Sequence, residues 1–125
     1  MVNYFWDSYA LILLLNGDPR VREYVEKSDY IVTSSLNIME LYYYLLKNNI
    51  SDMIIKDLLI ACKIIDSIPV PVITEAAIIR YEKHKKGKKW SYIDSIGYVL
   101  AKKLGIKFLT GDKEFEGEEN VEFIK

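Results

Sequence analysis

The chain has one cysteine, one histidine, three prolines, six glycines and no glutamine. With Cys62 alone, no internal disulfide is possible, and nothing points to an oxidising compartment. Cys62 and His84 stand far apart, so a zinc site and a Cys-His or Ser-His-Asp nucleophile lack their usual parts. Cys62 reads as a helix-core thiol and His84 as part of a solvated basic segment. The glycines are scattered and none falls into the spacing of a phosphate-cradling loop. The longest apolar run near the start, residues 9–15, is far shorter than the roughly 20 residues a membrane span needs. No basic segment precedes that run, which argues against a signal peptide and makes the cytoplasm the expected location.

What is present is a balanced globular composition, 50% hydrophobic and 28% charged over 125 residues. A chain of this size buries about two-thirds of its unfolded surface, so one domain spanning residues 1–125 is expected. The net charge of −1 gives no overall attraction to nucleic acid. Any anionic substrate must then be held by a local basic patch or by metal. The many Ile, Tyr, Lys and Glu residues are compatible with a heat-adapted source.

Residues 2–6 read as a short buried strand ending at Asp7, followed by an apolar helix over 8–15 that stops at Asn16-Gly17. Asp18 caps a second helix with Pro19 at its first position. Residues 30–33 form the next strand, Ser34 or Ser35 caps a long helix through Lys47, and Ser51 caps another reaching about Ser67. Residues 68–73, with two prolines, predict at best an edge strand before a helix capped by Thr74 and ended by Gly87. Ser91 opens a helix whose apolar positions share one face and which stops at Gly105. Strands follow over 107–110 and 121–124. The alternation predicts an α/β fold with parallel pairing and right-handed crossovers.

Asp7, Glu40, Asp94 and Asp112 each stand where an apolar stretch ends or a helix begins. Each has an ordinary explanation: Asp7 as a helix cap, Asp112 as a turn residue, and Asp94 in a capping box with Ser91. Glu40 sits among apolar residues and needs a partner if buried. In a parallel sheet all four reach the carboxyl rim, where ligands of such sheets collect. Carboxylates gathered there repel one another unless some protonate or a hard cation binds among them. Mg²⁺ or Mn²⁺ held by oxygen ligands would activate a water as nucleophile. Lys83, Lys85, Lys86, Lys88 and Lys89, with Trp90 and Tyr92, form the one concentrated basic and aromatic segment, directly before Asp94. It reads either as a solvated loop or as an RNA contact centred on Lys86, Lys88 and Lys89, whose neighbouring rings would stack on unpaired bases. The Tyr42-Tyr43-Tyr44 run reads as core and subunit contact.

The chain resembles the PIN domain, and within it the small single-domain toxin ribonucleases of the VapC type. The resemblance spans nearly the whole length. It rests on Phe5-Trp6-Asp7-Ser8, Asn37-Ile38-Met39-Glu40-Leu41, Ser91-Tyr92-Ile93-Asp94 and Leu109-Thr110-Gly111-Asp112-Lys113-Glu114-Phe115, in that order. It implies a three-layer α/β/α sandwich around a mainly parallel sheet and a four-acid site that hydrolyses RNA with Mg²⁺ or Mn²⁺. Asp7, Asp94 and Asp112 would ligate metal, Glu40 would bind metal or orient the attacking water, and Ser8 and Thr110 would support them as hydroxyls. The toxin subgroup further implies a homodimer inhibited by a small antitoxin inserted into the acidic groove. Two departures bear on the site: Tyr9 replaces a small or polar residue of many relatives, and Tyr98 stands where some carry another acid. Both imply a narrower site or one metal rather than two, with Glu116 as an extra candidate carboxylate in an acidic run, 114–119, that otherwise reads as a solvated turn.

The reading is therefore a metal-dependent endoribonuclease, the toxin of a type II toxin–antitoxin pair. The alternatives are a non-catalytic RNA- or protein-binding module of the same fold, and a phosphatase-like hydrolase with Asp7 as covalent nucleophile. The last needs an acid two residues after Asp7, where Tyr9 stands.

Overall fold

Residues 2–125 are described by a computed structural model. Apolar segments too short for helices become five strands: β1 (Tyr4–Trp6), β2 (Ile31–Ser34), β3 (Cys62–Ile65), β4 (Lys107–Thr110) and β5 (Val121–Phe123). They pair in the order β3-β2-β1-β4-β5, and every pairing is parallel. Alternation with a period of two divides their side chains between two cores. Tyr4, Trp6, Ile31 and Leu109 enter one, while Phe5, Val32 and Phe108 enter the other.

Six helices, α1 (Ser8–Leu15), α2 (Arg22–Lys27), α3 (Ser35–Lys47), α4 (Ile55–Ala61), α5 (Val70–Lys85) and α6 (Tyr92–Leu104), complete a three-layer α/β/α sandwich. The first four supply residues to the Trp6 side; α5 and α6 supply Val72, Ala76, Tyr98 and Val99 to the Phe5 side. Among the described residues, no helix is long and apolar enough to cross a membrane.

The chain runs outward from β1 through β2 to β3, then returns to place β4 on the other side of β1. The direction of winding reverses between β1 and β4. At such a reversal the loops leaving the two strands diverge and open a crevice beyond their carboxyl ends. Asp7 follows β1 directly and Asp112 lies two residues past β4, so both are delivered to that crevice.

Two boundaries differ from the sequence expectation. The helix expected to reach Ser67 ends at Ala61, and Cys62–Ile65 pairs with β2 from Ile31↔Cys62 to Ser34↔Ile65. Cys62 is thus a half-buried strand residue rather than a helix-core one, with its thiol pushed up to about 11 by burial. Nor is 68–73 a strand. Pro69 is the N-cap of α5 and Pro71 lies in its first turn, where missing N–H donors are tolerated, so Thr74 falls inside the helix and its hydroxyl donates to Pro71 O.

Gly97 fixes how closely α6 lies on the sheet. A Cβ there would come within 2.8 Å of the Phe5 ring and 3.0 Å of the Phe108 ring, both of which are fully buried. Asp94 lies almost one turn before Gly97 on the same helix, so this contact also sets the height of its carboxylate. Gly97→Ala is expected to destabilise the protein by about 1–3 kcal/mol through overpacking, against any gain in helix propensity, as a lowered midpoint in chemical denaturation.

Candidate active site

Asp7 continues the β1 ladder, its N–H donating to Leu109 O, and then caps α1 by accepting the Ala10 N–H at 2.8 Å. Its side chain is 1% exposed. Burial pushes its pKa up to about 8; the Thr110 hydroxyl and the Ala10 N–H partly offset this, and the charges of Asp94 and Asp112 add to it. Thr110 Oγ1 accepts the Asp112 N–H at 3.0 Å, which leaves its proton for Asp7. This one hydroxyl therefore links the ends of the two central strands.

Asp112 caps the 3₁₀ turn Lys113–Phe115 through Oδ1, which accepts the Glu114 N–H at 3.0 Å. Asp94 completes a capping box at the start of α6: Ser91 Oγ accepts the Asp94 N–H at 3.0 Å and Asp94 Oδ2 accepts the Ser91 N–H at 3.3 Å. Burial and the charge of Asp112 hold its pKa above the usual value. Glu40 lies in the second turn of α3 and accepts a 2.5 Å hydrogen bond from Ser8 Oγ. Burial raises its pKa as well, the Ser8 bond opposes that, and Asp94 adds to it.

Asp7, Asp94 and Asp112 thus act on one another at one rim and Glu40 joins them through the charge of Asp94, although the chain separations between them are large. Among the described residues none of the four forms a salt bridge with a basic side chain. Nor do any three His, Cys, Asp or Glu side chains form a ready-made cation cage there. The structural and functional explanations of these acids are compatible. The recorded cap at each aspartate engages one carboxylate oxygen, Oδ1 of Asp7 and Asp112 and Oδ2 of Asp94. At Asp94 and Asp112 the other oxygen remains for a ligand, whereas the Asp7 carboxyl also accepts the Thr110 hydroxyl. Hard oxygen donors, buried at Asp7 and half-buried at Glu40, Asp94 and Asp112, mutually repulsive and lacking a cationic side chain among the described residues, fit a divalent cation.

A buried relay that the sequence reading passed over supports Glu40. Ser34 Oγ donates to Asn37 Oδ1 at 2.6 Å, Asn37 Nδ2 donates to Ser8 Oγ at 3.1 Å, and Ser8 donates to Glu40. Asn37 is 1% exposed. Its signal was its place three residues after the cap Ser34 and three before Glu40, but the partner Ser8 lies on another helix. Beside Glu40 and Ser8, the apolar side chains of Ile12, Met39, Tyr43 and Ile93 line a groove. Tyr42 and Tyr44 pack against the core as expected, whereas Tyr43 is exposed.

Tyr9 packs its ring against Gly111, the residue before Asp112. Its ring lies so close to Gly111 that a Cβ there would sit 2.5 Å from it, so a larger residue before Asp112 would displace the ring. Tyr98 points away into the second core, its hydroxyl donating to Glu119 O at 2.6 Å, so it takes no part in the rim. Glu116 is exposed and is not among the charges acting on Asp7, Glu40 or Asp94.

The basic segment is anchored rather than loose. The Lys89 N–H donates to Glu114 Oε2 at 3.1 Å and Trp90 Nε1 donates to Glu114 O at 3.1 Å, two residues past Asp112. Lys83 pairs with Glu118 at 2.6 Å, so Glu114 and Glu118 are tethers, while Glu116 and Glu119 stay exposed in a turn as expected. Trp90 is buried and stacked on Phe115, which removes it as a base-stacking ring. Lys86 and Lys89 are exposed and Lys88 is half-exposed. His84 is exposed as expected, with Nε2 2.9 Å from Trp90 O.

The raised pKa of Asp7 has a definite sign for stability. Between the ordinary carboxylate value of 3.8 and about 8, the folded form holds a proton that the unfolded form has lost. Metal-free stability must therefore fall as pH rises through that window, by an amount of order a few kcal/mol from this group. Asp7→Asn preserves the cap and abolishes the titration. Thermal denaturation in chelator at about pH 5 and about pH 8 is expected to show a smaller pH slope for Asp7→Asn, with the variant the more stable at the higher pH.

Against known proteins, the PIN domain family model matches residues 4–117. The fold is shared with a toxin–antitoxin complex from Klebsiella pneumoniae (TM-score 0.78, 20% identity, 98% of each chain covered). It is shared too with DNA-bound VapBC from Salmonella typhimurium (TM-score 0.75, 20% identity, 98% of this chain and 97% of that one). A third similar structure is VapC20 of Mycobacterium tuberculosis, described as a sarcin–ricin loop cleaving toxin (TM-score 0.74, 17% identity, 98% and 99% covered). No curated protein shows significant sequence similarity to the chain. With the parallel sheet, the reversal between β1 and β4 and the acids at its rim in place, and the family model covering nearly its whole length, this chain belongs to the PIN domain family.

Proposed function

We propose that residues 1–125 act as one divalent-metal-dependent endoribonuclease domain, the toxin of a type II toxin–antitoxin pair working in the cytoplasm. The observation that carries this reading is the convergence of Asp7, Glu40, Asp94 and Asp112 at the strand reversal with no basic side chain paired to them. Asp7, Asp94 and Asp112 would hold Mg²⁺ or Mn²⁺ through their carboxylate oxygens. When bound, such a cation acidifies water and neutralises charge developing on the phosphate.

The chain's own groups do the rest. Glu40, steadied by the Ser34–Asn37–Ser8 relay, orients a water towards phosphorus and takes its proton as the bond to the leaving sugar oxygen breaks. Its raised pKa brings it nearer to neutrality, where a base is most effective. Lys86, Lys88 and Lys89 attract the backbone that the net charge of −1 does not. The groove beside Glu40 offers an apolar seat for an antitoxin segment, in keeping with the VapBC relatives, and the chain acts as a homodimer. The engagement of each acid by a protein hydrogen bond, with no preformed cage, favours the second reading, an RNA- or protein-binding module without chemistry.

Three measurements separate these readings. Mn²⁺ titrated calorimetrically should bind the wild type and raise its melting temperature, and bind Asp7→Asn at least tenfold more weakly; no binding at about millimolar metal favours the module. RNA cleavage with Mg²⁺ or Mn²⁺ should fall by about a hundredfold or more in Asp7→Asn, and equal rates reject the assignment. Asn37→Ala should lower kcat about tenfold with Mn²⁺ affinity retained, because it frees Glu40 without removing a ligand.

A further inference from the structure

Tyr92 opens α6 two residues before Asp94 and is 69% exposed. The Arg80 guanidinium, from α5, lies over its ring at 3.9 Å from the centroid. Arg80 is itself fixed, because its Nε donates to Trp90 O at 2.9 Å and the Trp90 ring is buried against Phe115. One face of the tyrosine ring is therefore backed by a held cation, and the remaining exposure belongs to its other side. A solvent-exposed cation–π pair adds little to folding. A ring already held in place loses little conformational freedom when something flat settles on it.

The surroundings name the ligand class. Asp94, at the acidic rim, follows within the same turn of helix, and the preceding lysine-bearing segment is tethered at Lys89 and Trp90 to Glu114, two residues past Asp112. A backbone-attracting stretch followed by an exposed, immobilised ring is how proteins hold unpaired nucleotides. We infer that Tyr92, backed by Arg80, is a stacking platform for an unpaired RNA base flanking the phosphate held at the rim. This rests on the nuclease reading for its choice of ligand, and gives that site a preference for single-stranded over fully paired RNA. Tyr92 is a positioning residue: it takes no part in the bond change.

The test uses the full chain carrying Asp7→Asn, so that RNA is not cut, and follows binding of a short single-stranded RNA by fluorescence anisotropy with Mn²⁺ present. Adding Tyr92→Ala is expected to weaken binding about tenfold, and Tyr92→Phe to restore it. Abasic sites moved along the RNA should reveal one position whose loss weakens binding to the parent about tenfold and has no further effect once Tyr92 is alanine. An unchanged melting temperature for Tyr92→Ala, expected of so exposed a residue, excludes a folding defect. Binding by Tyr92→Ala equal to the parent, or abasic losses identical with and without the ring, overturns the inference, as does failure of the parent to bind single-stranded RNA. If the ring and abasic effects appear as stated but the wild type does not cut RNA with Mg²⁺ or Mn²⁺, the nuclease reading alone falls.

Discussion

A carboxylate taken wholly out of water must be stabilised by what surrounds it, and at Asp7 the chain supplies only the Ala10 N–H and the Thr110 hydroxyl. These do not compensate for burial, since the group's pKa remains far above its ordinary range. The deficit follows from the topology. β1 is the middle strand, flanked on both sides, and the residue leaving its carboxyl end has little access to water. The same reversal that buries Asp7 brings Asp112 and Asp94 close enough to oppose its ionisation further. The rim is held in a state that an external positive charge would relieve, and among the described residues no basic side chain pairs with it.

Much of this was legible in the sequence because each acid serves local structure as well. Asp7, Asp94 and Asp112 are caps, and caps follow strands or start helices by the rules that place side chains at the carboxyl rim. Ser34, Ser91 and Gly105 marked helix ends for the same reason. What was hidden depended on partners distant in sequence. β3 follows α4 without a break, and only pairing with β2 makes Cys62–Ile65 extended. The burial of Trp90, the tethers from Glu114 and Glu118, and the Asn37–Ser8 bond each need a contact far along the chain.

Glu114 illustrates how little is left independent around the rim. It follows Asp112 by two residues, donates its own N–H to that carboxylate, and through its side chain and carbonyl holds Lys89 and Trp90. The acidic rim and the segment that carries Lys89 are thereby joined through hydrogen bonds to one residue. Proteins that bring a polyanion to an acidic centre face like-charge repulsion, which falls steeply when lysines sit at fixed range.

The position of β1 between β2 and β4 also bears on how the molecule comes into being. β1 emerges first from the ribosome, yet its β4 neighbour is synthesised about a hundred residues later, and nascent chains grow at about 5–20 residues per second. For that interval Asp7 has neither Thr110 above it nor Asp112 across from it, and the rim does not exist. A translation product ending before residue 107 consequently lacks both Thr110 and Asp112 and cannot assemble the four-acid rim.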